Sequence, residues 1–144
     1  MIERILIAVG EERMHVEELT ELAVEIATPF DAHVTLLRVY AAGEFKQLLD
    51  GFEYDSADPS DMAKRNAVVR EAARVVKDAG LEQTVVGLVG NTADEVIDYV
   101  DTHDVDHVFI GGRKRSPAGK ALLGSTSQDI ILGLSVPCTV YNLG

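Results

Sequence analysis

Val108-Phe109-Ile110-Gly111-Gly112-Arg113-Lys114-Arg115-Ser116-Pro117-Ala118-Gly119-Lys120-Ala121-Leu122-Leu123-Gly124-Ser125-Thr126-Ser127-Gln128 is the stretch that decides how this chain reads. An apolar run stops at two glycines. A cationic loop rich in Ser, Pro and Gly follows, and Gly124-Ser125-Thr126 has the form of a helix start. A buried strand that feeds a glycine loop returning to a helix is how parallel α/β proteins hold phosphate. Glycine lets the backbone approach an anion, and the free N–H groups of a helix start point at it. From His107 to Gln128 the chain carries four of its 13 basic residues, Arg113, Lys114, Arg115 and Lys120, and none of its 24 acidic ones. One positive segment therefore sits on a strongly negative body.

Outward from that stretch, strands and helices alternate. Arg4 to Val9 is a short apolar run ending at Gly10, as in a central parallel strand covered on both faces. Glu11 to Thr28 has helical spacing, with Val16, Leu19, Ala23 and Ile26 on one stripe, Glu11 and Glu12 at its positive start and Pro29 as its stop. His33 to Tyr40 reads as a second strand. Ala41 to Ala57 shows no clean period and is expected to be a long loop, with Phe45, Phe52 and Tyr54 covering a ligand or a partner, or packing as a satellite of the core. Asp58-Pro59 predicts a helix entry, Gly80 its end, and Val68, Ala72, Val75 and Ala79 its inner stripe. Gln83 to Val89 is a third strand. Thr92 to Glu95 reads as a capping box, followed by Ala93, Val96, Ile97 and Val100 on one face. Val105 to Ile110 is a fourth strand. Gly124 opens a last helix with Thr126, Ile130 and Leu134 inward, and Val136 to Tyr141 is a fifth strand.

This order predicts one α/β domain over residues 1–144: a single open five-stranded parallel sheet, order 3-2-1-4-5, with helices on both faces. Ligands of such sheets sit beyond the carboxyl ends of the strands, where the order reverses. That point lies between Val9-Gly10 and Ile110-Gly111, where the cationic glycine segment also begins.

A net charge of −11 and a pI near 4.6 oppose general binding to nucleic acid or to an anionic membrane, because phosphates would be repelled broadly. No apolar run reaches the roughly 20 residues that span a bilayer. No signal peptide is expected, since the first residues lack a basic region and a cleavage site. A lone cysteine, Cys138, leaves no internal disulfide and fits a reducing cytoplasm. High acidity, five lysines and no tryptophan match halophilic composition and match an ordinary acidic surface equally well. His15, His33, His103 and His107 lack metal-ligand spacing. Asp55, Asp58 and Asp61 read as helix-entry carboxylates, and Cys138 as a small buried hydrophobe.

Ile5-Leu6-Ile7-Ala8-Val9, His33-Val34-Thr35-Leu36-Leu37, Gly90 and Val136-Pro137-Cys138-Thr139-Val140 together resemble the framework of the universal stress protein family, over nearly the whole chain. The resemblance implies an adenine-nucleotide alpha hydrolase-like, Rossmann-like fold and a role in stress response. The family's ATP binders carry Gly, two residues, Gly, nine residues, Gly, then Ser or Thr. Here that pattern falls on Gly111, Lys114 and Gly124-Ser125, so a lysine replaces the second glycine. The position after the first strand, an Asp in those members, is Gly10 here with Glu11 beside it. By resemblance, Ala8, Val9, Gly10 and Val39 meet adenine and ribose. Gly111, Gly112, Arg113, Lys114, Gly124, Ser125 and Thr126 meet the phosphates of ATP, ADP or AMP, and Mg²⁺ bridges phosphate oxygens. The phosphate segment itself holds no His, Asp or Glu to act as a base, so at most slow ATP hydrolysis is expected. The apolar strand Cys138 to Leu143 implies a homodimer, and the family's role implies a further protein partner of unknown identity. Electron-transfer flavoprotein subunits and PP-loop ATPases share the frame, but the Ser-Gly-Gly-x-Asp-Ser signature of the latter is absent after Val9. A dimeric interaction module that binds no nucleotide is the alternative, favoured by Gly10 and Lys114.

Overall fold

A computed structural model of the protein describes residues 2–52, 58–115 and 121–142. The elements run β1 (Arg4–Ala8), α1 (Arg13–Ala27), a 3₁₀ turn (Thr28–Phe30), β2 (His33–Tyr40), α2 (Ala42–Phe52), α3 (Pro59–Arg65), α4 (Ala67–Asp78), β3 (Gln83–Val89), α5 (Thr92–Thr102), β4 (His107–Arg115), β5 (Ala121–Leu123), α6 (Ser125–Gly133) and β6 (Cys138–Asn142). The parallel strands lie in the order β3-β2-β1-β4-β6, with β6 as the fifth parallel strand of the predicted sheet. The short β5 is an addition. It pairs antiparallel with the far end of β4, Arg113 opposite Leu123 and Arg115 opposite Ala121.

Side chains alternate across each strand, which explains why the central strands read as unbroken apolar runs. Ile5, Ile7, Val34, Leu36 and Phe109 pack against α1 and α4 on one face. Leu6, Leu37, Val108 and Ile110 pack against α5 and α6 on the other. At the start of the sheet, the Glu3 and Arg4 amides donate to Asp106 Oδ2 at 2.8 and 2.9 Å, tying β1 to β4. Those two bonds hold the Asp106 carboxyl below its ordinary value.

Several expectations are corrected. The stretch read as a loop after β2 forms α2, where Phe45, Leu48 and Leu49 supply the i, i+3, i+4 face. Phe45 packs on Tyr40, Met62 and Ala63 as part of a third apolar cluster; Tyr54, Asp55 and the Phe52 side chain lie outside the described residues. The single helix expected after Asp58-Pro59 is two. Asp58 caps α3 by accepting from Ser60 N, but Asn66 ends α3 and caps α4, its Oδ1 accepting from Val68 N and Val69 N. The buried stripe of α4 is Val69, Ala72 and Val76, turned by about one residue from the predicted one. α5 is capped by Asn91, which accepts from Asp94 N, and Thr92 is already helical, so the capping box is displaced. α1 starts at Arg13 with no acid in its first turn; Glu11 and Glu12 lie before it. In α6, Ile130 is buried and Leu134 partly so, but Thr126 is exposed.

At the outer edge of the sheet, Ser60 Oγ accepts from Gly87 N at 3.0 Å and donates to Gly87 O at 3.4 Å. The start of α3 therefore takes up the main-chain groups that Gly87 turns away from β2. A Cβ on Gly87 would run into the backbone of Pro59. Among the described residues the opposite edge strand, β6, is paired to β4 alone. Among the described residues no helix is long and apolar enough to cross a membrane.

Candidate functional site

Neighbouring strands leave β1 and β4 in opposite directions along the sheet, so a crevice opens beyond their carboxyl ends. Val9 N still donates to Leu37 O at 2.9 Å, which holds the chain in register one residue past β1 before Gly10 turns away. Gly10 faces open space: a Cβ there would meet nothing within 4 Å. Two cavities share this crevice. A lobe of about 390 Å³ lies under the start of α1, walled by Glu11, Glu12, His15, Val16 and Leu19. A lobe of about 190 Å³ lies on the α5 side, with Val9, Arg38, Val39, Thr92, Val96 and Ser127 in its wall. Ala8, Gly10, Gly111 and Thr126 belong to both and form the ridge between them.

The two glycines do not break β4, as the sequence suggested. The strand runs on to Arg115 because β5 supplies partners for its extension. Phe109 pairs with Ile7 on one edge and Thr139 on the other, and Arg113 pairs with Asn142 on the β6 edge and Leu123 opposite. β5 therefore lies on the edge that β1 occupies lower down, beyond the carboxyl end of β1. Gly124 N closes the hairpin by donating to Gly112 O at 3.0 Å, and Ser127 Oγ donates to Gly111 O at 3.1 Å. Gly112 is buried between Val140 and Ser127, where a Cβ would lie 2.9 Å from Val140 Cγ1. These contacts aim the start of α6 at the crevice. Its N-cap, Gly124, has no side-chain cap, so the first-turn amides are available to an acceptor.

Of the residues predicted for the site, Ala8, Val9, Gly10, Val39, Gly111 and Thr126 line the lobes. Gly124 and Ser125 are exposed at the α6 start just beyond them. Gly112 acts from beneath, as the packing point that seats the hairpin. Arg113 and Lys114 continue β4 opposite Leu123 and Leu122; their side chains lie outside the described residues, as do residues 116–120.

The sequence reading missed Arg38. This guanidinium is buried, with the residue 9% exposed, at the carboxyl end of β2. Nη1 donates to Val9 O at 3.5 Å, and Nη2 reaches Glu11 Oε1 at 3.5 Å and Glu44 Oε2 at 3.4 Å. Its Cζ lies over the Tyr40 ring, 5.1 Å from the centroid, and its Nε has no partner among the described residues. Burial pushes the Tyr40 hydroxyl up, with Arg38 opposing. A lone charge in an apolar strand was the available signal, since such residues are seldom buried unless paired. His15, which lacks metal-ligand spacing in the sequence, lines the larger lobe, and its Nδ1 is buried without a partner among the described residues.

Other titratable groups lie elsewhere. His33 Nε2 meets Thr84 Oγ1 at 2.8 Å, and His107 Nε2 meets Thr139 Oγ1 at 2.7 Å, both at the opposite end of the sheet. Burial lowers His107 and pushes the Cys138 thiol up to about 11. Among the described residues no three His, Cys, Asp or Glu side chains are placed to hold a metal ion.

The sequence model of the universal stress protein family matches residues 1–142. The chain belongs to that family. A curated universal stress protein of Mycolicibacterium smegmatis is 31% identical over 74 residues, 51% of this chain and 57% of that protein. The alignment therefore spans little more than half the length of that relative. A solved universal stress protein from Archaeoglobus fulgidus superposes with a TM-score of 0.75 at 25% identity, covering 97% of this chain and 98% of the other. A universal stress protein from the same organism, solved in complex with dAMP, has a TM-score of 0.68 at 20% identity over 97% and 98%. The universal stress protein frame, a five-stranded parallel sheet with helices around it, is thus shared along the chain.

Proposed function

We propose that this universal stress protein binds an adenine nucleotide, ATP or AMP among them, in the crevice between β1 and β4 and acts as a nucleotide-responsive protein in stress. The observation that carries the reading is convergence. Two lobes meet on Ala8, Gly10, Gly111 and Thr126, at the point where sheet order reverses and an uncapped helix start faces the opening. The solved A. fulgidus relative in complex with dAMP supports the choice of an adenine nucleotide.

In this reading Ala8, Val9, Gly10 and Val39 surround the base and ribose. The Gly111 backbone and the amides of Ser125 and Thr126 meet phosphate, with Gly112 seating the hairpin and Arg113 and Lys114 adding charge. Mg²⁺ is held through phosphate oxygens. The protein is cytoplasmic and is a binding protein rather than a dedicated enzyme. Two chains pair through Cys138–Leu143, where β6 offers an edge strand.

Calorimetric titration with AMP, ADP and ATP in Mg²⁺ tests the reading. Saturable heat with one site per chain is expected; no heat and no thermal shift at millimolar nucleotide, in high and low salt, overturns it. Light scattering that shows only monomer across micromolar concentrations overturns the pairing.

One observation favours a second reading, an interaction module that takes no nucleotide. Glu11 and Glu12 put two carboxylates in the wall of the larger lobe, and Gly10 contributes no side chain. The same titration separates the two.

A further inference from the structure

At Arg38 two parts of the fold compete for one buried side chain. Its Nη2 alone meets both carboxylates, Glu11 Oε1 at 3.5 Å and Glu44 Oε2 at 3.4 Å. Neither contact reaches the length of a good charge-assisted bond, about 2.8 Å. Nη1 reaches Val9 O at 3.5 Å, and Nε has no partner among the described residues. The guanidinium is therefore stretched between its neighbours and closed on none of them.

The two carboxylates belong to different parts of the molecule. Glu11 lies in the link between β1 and α1, with its side chain 75% exposed, and it lines the larger lobe together with Gly111 and Thr126. Glu44 lies in the first turn of α2, with its side chain 37% exposed. Next to it, Phe45 seats α2 on Tyr40, with 6.0 Å between ring centroids, and Arg38 lies over the same Tyr40 ring. α2 has only 11 residues, with Gly43 and Gly51 near its ends, so its stability comes from these contacts more than from its own propensity.

Such a shared nitrogen has two settings. With Glu11 near, Nη2 is divided between two acceptors. With Glu11 gone, the guanidinium closes on Glu44 and holds the start of α2 more tightly. Arg38 is buried and Glu44 is carried by its helix, whereas Glu11 is open to solvent, so Glu11 is the member that moves. An anion in the larger lobe, against the open amides of the α6 start, displaces Glu11 by taking its space and by like charge.

We propose that Arg38 is a positioning residue that couples the crevice to α2: displacement of Glu11 from the larger lobe lets Arg38 close on Glu44, so a filled crevice is registered as a more firmly held α2. Arg38 acts here through Glu44, without touching the ligand. The ligand-driven half rests on the nucleotide reading; the competition for Arg38 does not.

Hydrogen–deuterium exchange of the α2 amides, read by mass spectrometry on the full chain with and without AMP, tests the coupling. Glu11→Gln removes the competing charge, so α2 is expected to exchange about threefold more slowly with no ligand present, the scale of one partly exposed ion pair. Glu44→Gln removes the tether, and α2 exchanges about threefold faster. Saturating AMP slows α2 about threefold in the natural chain and leaves it unchanged in either variant. A network that only supports the fold gives the opposite sign at Glu11, because losing a contact then loosens α2. Faster or unaltered α2 exchange in Glu11→Gln overturns the competition, as does unaltered exchange in Glu44→Gln. AMP that binds by calorimetry but leaves α2 unaltered in the natural chain overturns the coupling while the nucleotide reading stands. Absence of AMP binding overturns the ligand-driven half together with the nucleotide reading, and the opposite shifts of the two variants still decide the competition.

Discussion

Replacing Gly87 by Ala puts a methyl group where the start of α3 rests directly on the sheet. The added Cβ would collide with Pro59 O and C and lie 2.9 Å from Ser60 N, all backbone atoms that cannot rotate away. The start of α3 must then withdraw by roughly an ångström to restore ordinary contact. Withdrawal breaks both Ser60–Gly87 hydrogen bonds, at 3.0 and 3.4 Å, for about 1 kcal/mol each. It also loosens Met62 and Ala63, which close the cluster with Tyr40 and Phe45, for about another 1 kcal/mol. The sum is about 3 kcal/mol, or a fall in Tm of roughly 10 °C for a chain of this size. Urea unfolding followed by circular dichroism measures it, with a lower midpoint and an unchanged slope expected. A loss below about 0.5 kcal/mol would refute the reasoning, because it would mean that α3 does not bear on β3 at Gly87.

Gly124→Val should leave the fold nearly intact, since a Cβ there meets only Gly112 O at 3.9 Å and Ser127 Oγ at 4.0 Å. Losing a favourable N-cap costs about 1 kcal/mol. Its nucleotide affinity should fall at least about tenfold as the side chain crowds the α6 amides; unchanged affinity by calorimetry moves the phosphate site elsewhere. Asp106 is lowered from 3.8 by the Glu3 and Arg4 amides, so its contribution is present above the ordinary carboxylate range and is lost as pH falls through the lowered value. Asp106→Asn should therefore flatten the acid limb of stability below about pH 4, measured as Tm against pH; an unaltered limb refutes the assignment. With its thiol pushed to about 11 from 9.0, Cys138 should react with iodoacetamide at pH 8 about 100-fold more slowly in the native chain than in urea. Equal rates would show that β6 does not shelter it.

The scaffold was legible because its signals are local. Apolar runs of strand length separated by amphipathic helices force a parallel sheet, and the switch point follows from strand order alone. The errors fall where a local signal was masked or a distant partner decided. In α2 the helical face is only Phe45, Leu48 and Leu49, flanked by Gly43 and Gly51, which read as loop residues. The break at Asn66 is a capping choice inside a continuous amphipathic stretch, invisible to periodicity. β4 extends through Gly111 and Gly112 because residues six to ten positions later return to pair with its far end, which the local apolar pattern does not show. At the site, backbone-lining residues such as Ala8, Gly10 and Gly111 were reached from topology and resemblance. Arg38 was not, because its importance comes from Glu11 and Glu44, which chain folding alone brings to it.

The two margins of the sheet are unequal, and this limits how chains can associate. At Gly87 the outward amide and carbonyl are already spent on Ser60, so no visiting strand can register there. Among the described residues, the β6 margin carries no such block. A union through that margin consumes it on both molecules and leaves each with its blocked side outward, so growth halts at a pair related by a two-fold axis. The α3 serine hydroxyl thus closes β3 at Gly87 to a visiting strand.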